Sequence, residues 1–222
     1  MNPFTVLYDS FYFFRRNLRQ IAALCLPLVV IEAFLQQVTA NLVGPDASPA
    51  YGLLVGLLIY PLYTAALILL VDARTRGESP LNRDLLAMAL RFWPRFAVLS
   101  GISTLLILLG LSMFFIPGLC LTVILAFAEY QLVLRGLAPL QAMRESIQLS
   151  RGHFWRTAFC IFAVIVPLWL LKDLSLVLYP EPQFPVMSLL IDSANNFLQL
   201  FTTVVLFRLF MLISEQNAHP RE

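Results

Sequence analysis

Six stretches of this chain are apolar over about the thickness of a lipid bilayer, and that leaves few folds open. They cover roughly residues 20–43, 50–71, 96–115, 117–134, 154–171 and 187–214. A helix needs about 20 apolar residues to cross the hydrocarbon core. In lipid the backbone must satisfy its own hydrogen bonds, so helices are the expected form. Of the 222 residues, 59% are hydrophobic and only 13% are charged, against roughly 25% charged in a soluble domain. No interval between the runs has room for a separate soluble domain. The expectation is one all-α integral membrane domain over residues 1–222, a polytopic bundle of six transmembrane helices.

The cations set an orientation. Of the 15 basic residues, only Lys172 is not arginine. Arg15, Arg16 and Arg19 precede the first run. Arg74, Arg76, Arg83, Arg91 and Arg95 lie between the second and third, and Arg135, Arg144, Arg151 and Arg156 between the fourth and fifth. The opposite connections, "GPDASP", "IPG" and "KDLSLVLYPEPQFP", carry only Lys172. Such asymmetry predicts that both termini and both basic loops face the cytoplasm. A signal peptide ending at Ala40 is the competing reading of the first run. The long aromatic segment ahead of its arginines is atypical of one. Between the third and fourth runs, "IPG" (residues 116–118) predicts a tight hairpin, because proline and glycine interrupt a helix.

Each basic segment also holds an amphipathic stretch. Phe4, Leu7, Tyr8 and Phe11 share a helical face, as do Leu81, Leu85, Met88 and Phe92, and Leu140, Met143 and Ile147. These follow the spacing of one helical stripe. An aromatic–arginine elbow follows each: "FFRRNLR" with Arg15 and Arg16, "RFWPR" with Arg91, Trp93 and Arg95, and "RGHFWR" with Arg151, His153, Trp155 and Arg156. Trp and Arg both suit headgroup depth. The expected unit is a short interfacial helix followed by a transmembrane hairpin. It occurs three times, over about 1–72, 73–135 and 136–222. The short helices either lie on lipid or pack on the end of the bundle.

The central stretch "IPGLCLTVILAFAEYQLVLRGLAPLQAMRESIQLSRGHFW" resembles the signature region of the YciC family of bacterial inner-membrane proteins. A related pattern occurs in the membrane domains joined to some glycerophosphodiester phosphodiesterases. The resemblance implies a bacterial inner-membrane protein associated with envelope upkeep. It brings no catalytic motif to carry over, and no soluble phosphodiesterase domain is present from which to transfer that chemistry.

Polar groups at bilayer depth are costly and therefore informative. Glu32, Gln36 and Thr39 share one face of the first run. Asp192, Asn195, Asn196, Gln199 and Thr203 share one face of the last. If the three hairpins close a ring, these stripes meet. They then act as interhelical hydrogen bonds, as the lining of a polar cavity, or as a proton-coupling pair of Glu32 and Asp192. Glu129 and Arg208, each near the end of a run, are expected to form an ion pair. Gly52 and Gly56 form a GxxxG, read as helix packing.

Other chemistry is not legible. Cys25, Cys120 and Cys160 lie within apolar runs with no CxxC and read as buried hydrophobes. No metal-ligand, phosphate-loop or nucleophile-elbow motif occurs, and no basic face suits nucleic acid. No cofactor is expected and an enzyme is not. The partners expected are membrane lipids and other inner-membrane proteins. The favoured function is a non-catalytic role in envelope maintenance, through lipid contact or scaffolding. The alternative is a small transporter or lipid-moving protein that uses the polar cavity.

Overall fold

The computed structural model describes residues 3–43, 50–178 and 185–218. They form α1 (Pro3–Val43), α2 (Ala50–Thr75), α3 (Asn82–Met113), α4 (Phe115–Leu125), α5 (Ala128–Arg135), α6 (Pro139–Arg151), α7 (Phe154–Leu178) and α8 (Pro185–Ala218). No strand occurs among the described residues. Six segments are long and apolar enough to cross a membrane, with α4 and α5 together making the fourth. The connection "GPDASP", Asn2 and half of the last outer connection lie outside the described residues.

Packing closes a ring. α1 packs on α2 and α8, α2 on α3, α3 on α4, α4 on α7, and α7 on α8. The first and last spans are therefore neighbours. Inside the ring, Phe96, Phe127, Tyr130 and Phe207 are fully buried with Ile21, Leu24, Leu67 and Leu99. Outside, large apolar side chains such as Leu109, Leu111, Leu170 and Leu171 stay exposed, as suits a surface solvated by lipid tails.

Only one of the three short helices stands apart from its span. α6 ends at Arg151, Gly152 and His153 form a turn, and α7 starts at Phe154. In the other two units the amphipathic stretch runs straight into the membrane segment, giving a 41-residue α1 and a 32-residue α3. Residue type explains the difference. The first two elbows contain arginine and aromatic residues but no glycine, and arginine favours helix. Pro94 is accommodated inside α3, where proline kinks a helix without necessarily ending it. The faces also differ from the expected stripes. In α1 the inward residues are Val6, Ser10 and Phe14, while Phe4, Tyr8 and Phe11 face outward. In α6, Met143 of the expected stripe is buried and Ile147 half-buried, Leu140 alone of the three is exposed, and Ala142, Ser146 and Ser150 are buried beside them. Ser10 of α1 and Ala142, Ser146 and Ser150 of α6 are small, and small residues permit close approach between helices.

The third and fourth spans form the expected hairpin, but the break lies earlier than "IPG". Phe114 alone is extended (φ −158°, ψ 150°), and α4 begins at Phe115. Pro117 then falls in the first turn of α4, where its missing N–H costs nothing. Gly118 serves close contact instead: a Cβ there would stand 2.4 Å from Leu111 Cγ and 2.8 Å from the Leu111 nitrogen. Gly110 faces it, 3.0 Å from the Gly118 Cα by the same construction.

The fourth span is itself broken near its middle, between Leu125 and Ala128. At a break inside the membrane the freed backbone groups need new partners. Ser146 of α6 supplies both. Its hydroxyl donates to the Ile124 carbonyl at 2.7 Å and accepts the Phe127 N–H at 3.1 Å. Ser150, one turn on, donates to Ile124 at 3.2 Å. Thus α6 is the splice that holds the broken span. Gly136 then ends α5 in the left-handed region (φ 65°), where glycine carries no Cβ penalty.

Candidate functional site: an acidic cavity between the spans

The break in the fourth span places Glu129 at the second position of α5. A helix N-terminus favours a carboxylate there. Tyr60 of α2 donates to this carboxylate, with its hydroxyl 2.9 Å from Oε1 and 3.1 Å from Oε2. Three residues on, Tyr63 packs edge-on against Tyr60, with ring centroids 5.7 Å apart. Tyr63 also interacts electrostatically with Glu32 of α1. Tyr130, next to Glu129, donates to the Thr203 carbonyl of α8 at 2.9 Å. Elements from both halves of the ring therefore converge on two carboxylates.

Two connected spaces meet at these groups. A cavity of about 340 Å³ is lined by Glu32, Tyr60, Tyr63, Glu129, Asn196 and Gln199, with Trp169 at its α7 side. A larger groove of about 750 Å³ shares Glu32, Gln36, Tyr60 and Glu129 as its floor. Its walls are Leu53, Leu57, Leu105, Leu108 and Leu125 of α2, α3 and α4, with Ser100, Ser103, Thr104 and Thr122 interspersed. No Lys or Arg lines either space among the described residues. Glu32 is 5% exposed. Its Oε1 accepts from Gln36 at 3.3 Å, and its Oε2 is buried with no hydrogen-bond partner among the described residues. Burying such an oxygen unpaired is expensive. Gly56 makes the room: a Cβ there would stand 3.4 Å from Glu32 Oε1. A Cβ on Gly52 would meet nothing within 4 Å, so Gly52 borders open groove and forms no helix seam.

The polar stripes read from the sequence come together in part. Glu32, Gln36, Asn196 and Gln199 line the cavity. Thr39 bonds to the Leu35 carbonyl of its own helix at 2.7 Å. Asn195 reaches Ser175 of α7 at 3.5 Å. Asp192 is exposed, with Lys172 as its electrostatic partner, and it does not line the cavity with Glu32. The acid that shares the cavity with Glu32 is Glu129. Its expected ion pair with Arg208 is absent: Arg208 bonds instead to Asp9, at 3.4 Å. The reason is that the break turns Glu129 inward toward Tyr60, while Arg208 lies at the end of α8 that packs beside the start of α1.

That end of the bundle gathers the basic segments. Arg74 bonds through Nε to Gln20 Oε1 at 2.9 Å, and Gln20 in turn donates to the Pro80 carbonyl at 3.1 Å. Arg16, Arg74 and Arg208 border one surface pocket of about 600 Å³ together with Asp9 and Glu78. Arg15, Arg16, Arg91, Arg95, Arg151 and Arg156 are exposed, and Trp155 is 83% exposed. His153 is half-buried, and its carbonyl accepts from Thr157 at 3.1 Å. Trp93 differs from the other elbow residues. Its Nε1 donates to the Leu58 carbonyl at 2.7 Å, where Pro61 disturbs the bonding of α2.

Three groups were missed at the sequence level: Tyr60, Tyr63 and Ser146. Gly56, Tyr60 and Tyr63 fall on one stripe at i, i+4 and i+7 in an otherwise apolar span, and that was the available signal. Nothing in "LAFAEY" marks a break, since it contains neither proline nor glycine.

The fold and the cavity define a polytopic α-helical membrane protein with an acidic intramembrane site. Residues 49–212 match the profile described as Uncharacterised protein family (UPF0259), and the chain belongs to that family. It is 29% identical over 160 residues to a UPF0259 membrane protein of Yersinia pestis (strain Pestoides F) and to one of Yersinia pseudotuberculosis serotype O:3 (strain YPIII). Each alignment covers 68% of this chain and 59% of the relative, so the matched part spans under two thirds of those proteins. These matches give no support to the likeness with phosphodiesterase membrane domains. No solved structure matches. The profile match contains the broken span and its α6 splice but not Glu32 or Gln36 of α1.

Proposed function

We propose that this protein binds a membrane lipid in the groove between α2, α3 and α4, and that it serves envelope maintenance without catalysis. The observation that carries the reading is the combination of an apolar wall and a polar floor. Leu53, Leu105 and Leu108 flank a path that ends on Glu32, Tyr60 and Glu129. An acyl chain gains by the first and a headgroup by the second. The location that goes with it is the bacterial inner membrane. There the arginine-rich end and both termini face the cytoplasm, as the arginine asymmetry favours. The sequence resemblance to the YciC family agrees with this setting.

Moving the lipid is the second reading, favoured by the mid-span break at residues 126–127. Interrupted helices at membrane depth accompany transport sites in many folds. Scaffolding of other membrane proteins through the arginine elbows rests on their outward exposure alone.

The test is native mass spectrometry of gently extracted protein, comparing wild type with Gly52→Trp. The substitution projects an indole into open groove. Wild type should retain a co-extracted lipid and the variant should lose it. A wild-type protein that carries no adduct, or a variant that keeps it, would sink the lipid-binding reading.

A further inference from the structure

The composition of the groove floor narrows what can lie on it. This inference rests on the lipid-binding reading and specifies the headgroup. Two carboxylic side chains, Glu32 and Glu129, approach the floor from α1 and α5. No lysine or arginine lines either space among the described residues. The arginines that could receive a phosphate are instead on the surface at one end of the bundle, as with Arg16 and Arg74. A phosphate pushed to the floor would meet acidic groups and no cation. Like charges in a low-dielectric site repel strongly, and desolvating the phosphate adds to the cost.

The floor holds neutral donors, on Tyr60, Tyr63, Asn196 and Gln199, but no cation to balance its two acids. The Tyr60 hydroxyl is already committed to Glu129. The Gln36 amide is committed to Glu32 Oε1. Glu32, which lines both spaces, has its Oε2 buried without a hydrogen bond of normal geometry among the described residues, and its nearest polar neighbour there is the neutral Tyr63 hydroxyl. Two acids lining one space without a cation call for a positively charged donor, which hydrogen-bonds a carboxylate more strongly than a neutral one does. Trp169 and the tyrosine rings around the site add faces that favour a cation.

We propose that the groove takes an amphiphile whose headgroup ends in an amine. The ammonium would bond to the Glu32 carboxyl group in the space that Glu129 also lines, and the chain would lie between α2, α3 and α4. Neither the family description nor the likeness to membrane proteins assigns such a ligand.

The experiment titrates the full chain in a neutral detergent with n-dodecylamine and, separately, with n-dodecyl phosphate. The readout is the population of one-to-one adducts by native mass spectrometry. Wild type should hold the amine at least about tenfold more tightly than the phosphate, the scale of one charge-assisted contact. Glu32→Gln should remove most of that preference, and Gly52→Trp should weaken both adducts. Glu129→Gln gives a second acidic variant should Glu32→Gln fail to fold, with elution volume as the check on folding. Equal retention of both probes, a preference for the phosphate, or an amine adduct indifferent to the acidic variants would overturn the amine assignment. In those cases an adduct lost in Gly52→Trp would still leave the groove as a lipid site. If neither probe is retained, the lipid-binding reading falls as well.

Discussion

Ser146 and Phe127 are joined by a hydrogen bond at the point where the fourth span breaks. The Phe127 N–H points to the Ser146 hydroxyl at 3.1 Å, and that hydroxyl passes its own proton to Ile124 at 2.7 Å. One side chain thus closes both open ends of an interrupted helix. The same junction starts α5 and turns Glu129 toward the cavity.

Replacing Ser146 by alanine should therefore orphan one N–H at membrane depth. The expected loss is about 1–3 kcal/mol, the cost of a buried donor without a partner. Ser150 can still serve the Ile124 carbonyl, which keeps the loss toward the lower part of that range. Unfolding in mixed micelles would measure it. A Ser146→Ala protein as stable as wild type would show that the break does not depend on α6.

Tyr60→Phe should destabilise the protein by a similar amount, about 1–3 kcal/mol, because Glu129 loses its donor while remaining inside the bundle. Glu129→Gln combined with Tyr60→Phe should cost less than the sum of the single changes. A double-mutant cycle on thermal stability in detergent gives the coupling directly, and strict additivity would mean that the two side chains do not act as a pair.

Arg208 and Glu129 should show no coupling in the same kind of cycle. The partner of Arg208 is Asp9, and both of those side chains are more than 40% exposed. A pair so open to solvent contributes about 0–1 kcal/mol and weakens with salt. Arg208→Gln should therefore lower stability slightly at low ionic strength and negligibly at high. A large, salt-independent loss would be inconsistent with an exposed pair.

Two glycines should respond very differently to the same substitution. Gly118→Ala places a methyl 2.4 Å from Leu111 Cγ and 2.8 Å from a backbone nitrogen. The backbone cannot yield, so the α3–α4 hairpin must splay, at roughly 1–3 kcal/mol. Gly52→Ala meets nothing within 4 Å and should fall within about 0.5 kcal/mol of wild type. Melting temperatures of the two variants, run side by side, settle the contrast.

Much of the architecture was legible because hydrophobic run length and arginine placement are local, additive signals. Six apolar runs of bilayer length required six helices, and a hairpin was expected at Pro117 and Gly118, although its turn falls at Phe114 and both residues lie inside α4. The same reasoning brought Glu32, Gln36, Asn196 and Gln199 to one cavity, since helical periodicity fixes which residues share a face. It failed where the outcome depends on a partner distant in sequence. Glu129 and Arg208 both read as charges near span ends, yet a break two residues before Glu129 sends it inward.

What the sequence by itself determined is therefore the set of membrane helices, their polar stripes and the clustering of arginine in the segments of one end. What only the tertiary structure decided is the acidic floor. Its place depends on Ser146, 19 residues beyond Phe127, on Tyr60, 69 residues before Glu129, and on the space beside Gly56 that admits Glu32. A backbone hydrogen bond given up inside one helix can be recovered only from another. No reading of a single segment reveals that exchange, because the two choices differ in free energy only once the helices are packed.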